Sequence, residues 1–210
     1  IKSDGAIVNK LMINRTHTAN PNHPVYGATN FSHLRTYVPK GSKLIEANGF
    51  EFPPEAAFRA PENNYKTHPT LKELVKKEKF DEQTGAKISQ QFGKTVFSHW
   101  LVTKPGQTSK AYIKYKLPFK LKQKRKVASN VDRWKQIFLD NNKPKNISYS
   151  MFIQKQAGTK YPFTQEVSVA NQWRPIWKST KKIQFRNEKI KFNEELSTDT
   201  QYGFLLEQIN

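Results

Sequence analysis

Cysteine is absent from the chain. No disulfide frame, zinc-thiolate site or cysteine nucleophile is therefore available, and thiol chemistry says nothing about the redox compartment. Long apolar runs are absent as well: no stretch approaches the roughly 18 apolar residues that a bilayer-spanning helix needs. A secretory signal is not visible. Gly-x-Ser-x-Gly elbows, phosphate-cradling glycine loops and His-Glu-x-x-His are all missing, so no recognised catalytic motif is present and no cofactor is expected. Acid is scarce, with 17 Asp and Glu against 36 Lys and Arg, a formal net charge of +19. A surplus of that size attracts anionic partners over long range. Nucleic acid, anionic lipid and cell-wall polyanions all qualify.

What the chain does have is aromatic and β-branched material spaced by turns. Aromatics make up 12% of the 210 residues, led by Phe and Tyr, which argues against disorder despite the polar average. The length is enough for a sizeable core. Alternating patterns predict strands at 6–16, 31–38, 43–47, 50–52, 95–103, 147–154, 163–170, 176–178, 182–186, 189–193 and 202–208. Asn48-Gly49 is a strong two-residue hairpin signal between the third and fourth of these. Segment 95–103 is apolar on both faces and reads as a central strand. Pro105-Gly106 then predicts a hairpin into the next strand. Two short helices are expected. One has the capping-box pair Thr70 and Glu73; the other runs from Val131 to Leu139 and carries Trp134. Many strands with hairpin connections and little helix predict an all-β, antiparallel sandwich of the immunoglobulin-like or Greek-key kind. One elaborated domain over 1–210 is expected, with a loop-and-helix insertion at about 53–92 and a helical insertion at about 120–145.

From Lys110 to Lys126 lysine alternates with apolar residues. Ala111, Ile113, Tyr115, Leu117, Phe119 and Leu121 occupy one set of positions. Lysines dominate the other, spaced roughly 6.6 Å apart on an extended strand. One face is then core and the other a row of ammonium groups. Pro118 divides the row, since proline ends or edges a ladder. The candidate polyanion-binding residues are Lys114, Lys116, Lys120, Lys122, Lys124, Arg125 and Lys126. A competing explanation is that lysines on an edge strand only block edge-to-edge pairing. Further basic residues at Lys178, Lys181, Lys182, Arg186, Lys189 and Lys191 extend this patch or form another.

Five blocks carry a family resemblance. They are Ser3-Asp4-Gly5-Ala6-Ile7-Val8; Leu34-Arg35-Thr36-Tyr37-Val38-Pro39-Lys40-Gly41-Ser42; Gly93-Lys94-Thr95-Val96-Phe97-Ser98-His99-Trp100; Tyr112-Ile113-Lys114-Tyr115-Lys116-Leu117-Pro118-Phe119; and Asp199-Thr200-Gln201-Tyr202-Gly203-Phe204. Together they resemble the C-terminal region of the domain-of-unknown-function family 4012, in order and over nearly the whole chain. The resemblance implies a surface protein of candidate-phyla bacteria, with a membrane anchor and a larger domain upstream. That larger domain is similar to cell-wall glycopolymer transferases. The chain begins at Ile1, and the anchor is expected before it. The family assigns no catalytic role to these motifs, and the run Lys120 to Lys126 is more basic than its usual pattern.

Of the tryptophans, Trp100 and Trp134 read as core. Trp173 and Trp177 flank Arg174-Pro175 at a corner and are the candidates for stacking on sugars or bases. His17, His23 and His33 could approach one another, but their spacing matches no metal motif, and no metal is expected. Acidic clusters at Asp81-Glu82 and Glu194-Glu195-Asp199 sit in turns, where solvated acids are ordinary. The expected function is a non-enzymatic, extracytoplasmic accessory domain at the cell surface. It would bind an anionic polymer such as a cell-wall glycopolymer, with other surface proteins as further partners. Surface DNA binding is the alternative. A third reading makes the chain the accessory domain of an upstream transferase-like enzyme.

Overall fold

Strand formation follows the alternation closely. In the computed structural model, which describes residues 1–75, 78–121, 146–186 and 189–209, the chain is mostly antiparallel β-sheet. β1 is Ala6–Thr16, β2 Asn30–Pro39, β3 Lys43–Asn48, and the short helix α1 Pro69–Val75. β4 (Lys79–Asp81), β5 (Ala86–Gln91), β6 (Lys94–Thr103) and β7 (Thr108–Lys120) come next. β8 (Asn146–Ile153), β9 (Tyr161–Ser168), β10 (Trp173–Lys178), β11 (Ile183–Arg186), β12 (Lys189–Leu196) and β13 (Thr200–Gln208) complete the strands among the described residues.

These strands form four open sheets, ordered β1-β7-β3, β2-β6-β5-β4, β10-β13-β8 and β11-β12-β9. The chain gathers into two compact units, where the sequence reading treats 1–210 as one domain. One unit comprises 8–118; the other comprises 1–7 with 119–210. The expected helix at 131–139 lies outside the described residues.

In the 8–118 unit, β6 has neighbours on both sides, β2 and β5. Val96 on one face and Phe97 and Leu101 on the other are each at most 1% exposed, so the strand is central as read, although Trp100 and Val102 on the Val96 side are only half-buried. Each such side chain contributes about 2 kcal/mol by leaving water. β7 supplies Ala111, Ile113, Tyr115 and Leu117 to the core. In the other unit, Tyr149 stacks on Phe204 and Phe192 on Tyr202, with ring centroids 4.9 and 4.0 Å apart.

Several local expectations are corrected. Asn48-Gly49 does not close a hairpin. A two-residue turn of that type needs positive φ at both central residues, and only Gly49 has it. The chain instead leaves β3 and runs alongside β6, where the Glu51 N–H donates to the Trp100 carbonyl at 3.1 Å. β6 and β7 are not a hairpin either, because β7 pairs with β3 and lies beside β1. The region read as an irregular insertion contains β4 and β5, closed by the turn at Asp81–Gly85. β5 turns into β6 through Phe92-Gly93, both at positive φ (50° and 70°). Phe-Gly is no hairpin signal, so this turn was invisible in the sequence. Thr70 is inside α1 rather than its cap; the His68 ring nitrogen accepts the Thr70 N–H at 3.2 Å.

Gly49 shows why the exit from β3 is sequence-specific. A Cβ there would lie 2.2 Å from the Lys110 carbonyl oxygen and 2.9 Å from the Ala111 Cα, both backbone atoms. Gly93 has comparable φ, but a Cβ there would meet nothing within 4 Å. Gly93→Ala should cost about 1 kcal/mol from left-handed strain alone. Gly49→Ala should cost clearly more in urea unfolding, because backbone must also move; equal costs would refute this account.

Candidate polyanion-binding site

The alternation in β7 places the site. From Ala111 to Leu117 the odd residues are buried, while Lys110, Lys116 and Pro118 are exposed and Lys114 is partly exposed. β3 extends the face. Lys43 stands directly opposite Lys116, Glu46 opposite Lys114 and Asn48 opposite Tyr112. A register shift between Leu44 and Glu46 leaves Ile45 out of the pairing. One extra residue shifts the alternation of β3 by one. Glu46, and not Ile45, therefore faces the lysines.

On the other side of β7, β1 brings Lys10, whose ammonium sits 3.7 Å from the centre of the Tyr112 ring. The two strands are tied by Asn9 Nδ2 donating to the Tyr115 hydroxyl at 3.3 Å and by the Thr16–Thr108 hydroxyl pair at 2.7 Å. The face thus holds Lys10, Lys43, Lys110, Lys114 and Lys116. Its acid is Glu46, which lies 3.9 Å from Lys114 and accepts a hydrogen bond from the Tyr112 hydroxyl. That bond raises the Tyr112 pKa. Among the described residues, Lys43 and Lys116 make no ion pair. Like charges directly opposite one another weaken a sheet, so this pair carries a cost that a bound anion would relieve.

The other basic residues stand differently. Lys120, expected in the site, pairs with Asp4 at 2.6 Å in the unit formed by 1–7 and 119–210. In the same unit Lys189 and Lys191 share Glu166 at 2.7 and 3.1 Å, which holds the Glu166 carboxyl below its ordinary pKa. Lys182 pairs with Glu194, and Lys178 donates to the Ile183 carbonyl at 2.8 Å. Lys120, Lys182, Lys189 and Lys191 thus each meet a carboxylate, the last two sharing one. Lys122, Lys124, Arg125 and Lys126 lie outside the described residues. Of the seven candidates, Lys114 and Lys116 are the ones brought together, with Lys10 and Lys43 as members the sequence reading missed. Both need long-range pairing to be seen, although Lys10 begins its own exposed alternation with Met12 and Asn14.

The stacking candidates divide. Trp177 is 52% exposed, whereas Trp173 is 4% exposed and offers no open ring face. It stands at the head of β10, opposite Gln208, with a register shift between it and Trp177. The histidines are engaged separately. His17 donates to the Ala28 carbonyl at 3.1 Å, His23 accepts the N–H groups of Val25 and Tyr26, and His33 packs on Trp100. No cluster of three or more His, Asp or Glu among the described residues could hold a metal ion. Searches against family models, characterised proteins and solved structures give no match to this chain.

A histidine lies in the core of the 8–118 unit. His99 is 4% exposed and stacks on Phe50 at 4.1 Å. Burial pushes its pKa down to about 4, against a smaller opposing pull from the Thr84 carbonyl. The folded state therefore holds a neutral imidazole, and the unfolded chain takes up the proton first. The stability tied to neutrality is complete above the ordinary value near 6.5 and is lost as pH falls towards 4. The loss should reach about 2 kcal/mol at pH 5 and about 3 at pH 4. Replacing His99 by Phe should remove that slope from urea midpoints measured between pH 4 and 7. An undiminished slope in the variant would assign the acid sensitivity elsewhere.

Proposed function

We propose that this chain is a non-enzymatic, extracytoplasmic accessory domain that binds an anionic polymer of the cell-wall glycopolymer class. The contact face is the lysine side of β1-β7-β3. One observation carries the reading: Lys43 and Lys116 are held directly opposite each other, and neither makes an ion pair among the described residues. Lys10, Lys110 and Lys114 continue the row, at a spacing suited to an extended polymer with regularly repeated charge. Flexible ammonium groups act here as point charges, without the fixed fork that arginine would bring. Recognition is then of charge density rather than of one residue's shape. Placement at the cell surface rests on the likeness to family 4012. We also read β1-β7-β3 and β2-β6-β5-β4 as leaves of a β-sandwich, a reading supported by the 5.9 Å contact between the Phe97 and Tyr115 rings.

Binding of this kind is steeply salt-dependent, because each cation that meets the polymer releases counterions. Changing Lys43, Lys110, Lys114 and Lys116 together to Gln should move elution from heparin and from a teichoic-type polymer to markedly lower salt. The thermal midpoint should hold steady or rise slightly, since the Lys43–Lys116 repulsion is removed. A control with Lys189 and Lys191 changed to Gln should elute close to the parent. Unchanged elution of the fourfold variant would sink the proposal. Tighter retention on duplex DNA than on the teichoic-type polymer would replace the glycopolymer with nucleic acid.

A further inference from the structure

The sheet β2-β6-β5-β4 carries a second surface, built from different chemistry. Antiparallel register sets its rows, because directly opposed residues share a face. His33 lies opposite Trp100. Two residues along, Arg35 lies opposite Ser98, Ser98 opposite Lys87, and Lys87 opposite Phe80. Trp100 and Ser98 are even-numbered residues of β6. They therefore face away from the side that carries Phe97, His99 and Leu101.

The first row is aromatic. The Trp100 ring lies 4.8 Å from His33 and 5.3 Å from Phe58, tilted to each, and Phe58 lies 6.5 Å from Phe31. Phe58 is 50% exposed, and His33 is open to solvent. The next row is cationic at two points, with Arg35 and Lys87 both exposed. Their strands are separated by β6, so their backbones stand about 10 Å apart. Long side chains can converge across that gap onto one anion. Beneath them the Ser98 hydroxyl is buried and has no hydrogen-bond partner among the described residues. Lys87 lies 4.0 Å from Glu78, at the outer limit of an ion pair. Partial desolvation of the His33 ring lowers its pKa, and the charges of Arg35 and Lys87 add to this against a smaller opposing pull from Glu78. His33 thus joins the aromatic row as a neutral ring.

We propose that this face binds a carboxylated sugar ring, a hexuronate-type unit of an acidic glycan. The apolar C–H face of the sugar lies on Trp100 and Phe58, and the carboxylate lies between Arg35 and Lys87. The arginine fork matches a carboxylate with two parallel hydrogen bonds. Charge complementarity selects an acidic sugar over a neutral one. The rows lie two residues apart along the strands, roughly 7 Å, a separation that suits the ring and carboxylate of one sugar unit. The inference narrows the glycopolymer reading to one sugar chemistry, yet it stands on residues that the lysine face does not use.

Oligogalacturonate of defined length is the probe, measured by calorimetry on the intact chain. Trp100→Ala should weaken binding about tenfold, the usual scale for losing one aromatic stacking partner. Arg35→Gln, at an exposed position where folding is not at risk, should weaken it by a similar factor. A neutral malto-oligosaccharide of equal length should bind at least tenfold more weakly than the uronate. Unchanged affinity in Arg35→Gln, equal binding of the neutral sugar, or preference for a single-stranded oligodeoxynucleotide would each overturn the proposal. The fourfold lysine variant separates the two readings. If it loses heparin while both Trp100→Ala and Arg35→Gln keep full oligogalacturonate affinity, the uronate site is wrong and the lysine face stands. If it keeps heparin while both substitutions lose oligogalacturonate, the reverse holds.

Discussion

The period-two pleat of β7 governs most of the architecture of the 8–118 unit. A strand has no third option for its side chains, so Ala111, Ile113, Tyr115 and Leu117 enter the core only if Lys110, Lys114 and Lys116 leave it. A slip of one residue would bury ammonium groups at prohibitive cost. The register of β7 against β3 is therefore fixed by the core and not by the lysines. The lysine row is a consequence of burial, and its neighbours determine whether it can bind anything. β3 answers with Lys43 rather than a carboxylate at the position facing Lys116. A surface whose only purpose was solubility would gain from an acid there.

The strands that one face's alternation defines were legible from sequence: β1 and β2 fall within a residue of their expected limits, and β7 follows its alternation but begins at Thr108 and runs through Pro118 to Lys120, where proline was expected to end it. β6 was legible for the opposite reason, since apolar residues on both faces leave a central strand as the only economical placement. The pairing of these strands was not legible. Asn48-Gly49 promised a hairpin, but Asn48 keeps negative φ and the chain arches across to β6. Pro105-Gly106 promised another, yet β7 finds β1 and β3. Local turn chemistry reports that the chain reverses; it does not report which sheet receives the returning strand. β5 was missed because Lys87, Ser89 and Gln91 dilute its apolar signal, and because its turn at Phe92-Gly93 uses a residue type that rarely takes positive φ.

The same distinction explains what was readable of the binding faces. Lys114 and Lys116 belong to one strand, so their common face comes directly from counting. Lys10 and Lys43 lie far away in sequence and join them only through the sheet. The C-terminal lysines looked equivalent in composition. Their separation comes from Glu166 and Glu194, which meet them across β9 and β12 and at the foot of β11. Trp173 and Trp177 looked alike as well. The register shift between Pro175 and Trp177 lies between them, with Trp173 buried and Trp177 exposed. An irregularity of one residue is beyond any periodicity argument.

The two proposed surfaces obey different physics, and this bears on how one domain would hold a long acidic polymer. Attraction to the lysine face is long-ranged and fades within a Debye length of about 8 Å at physiological salt. It gathers polymer without fixing its register. Contact on Trp100 and Phe58 is short-ranged, depends on shape, and is nearly indifferent to salt. A polymer captured by charge but read by rings should keep a residual, sugar-specific affinity at ionic strengths that abolish heparin retention. Charge alone predicts no such residue. The burial of His99 on the other face of the same strand adds a constraint: the β6 backbone that carries Trp100 and Ser98 is held from beneath by a neutral imidazole stacked on Phe50. The aromatic row and the buried imidazole thus share one strand, on its opposite faces.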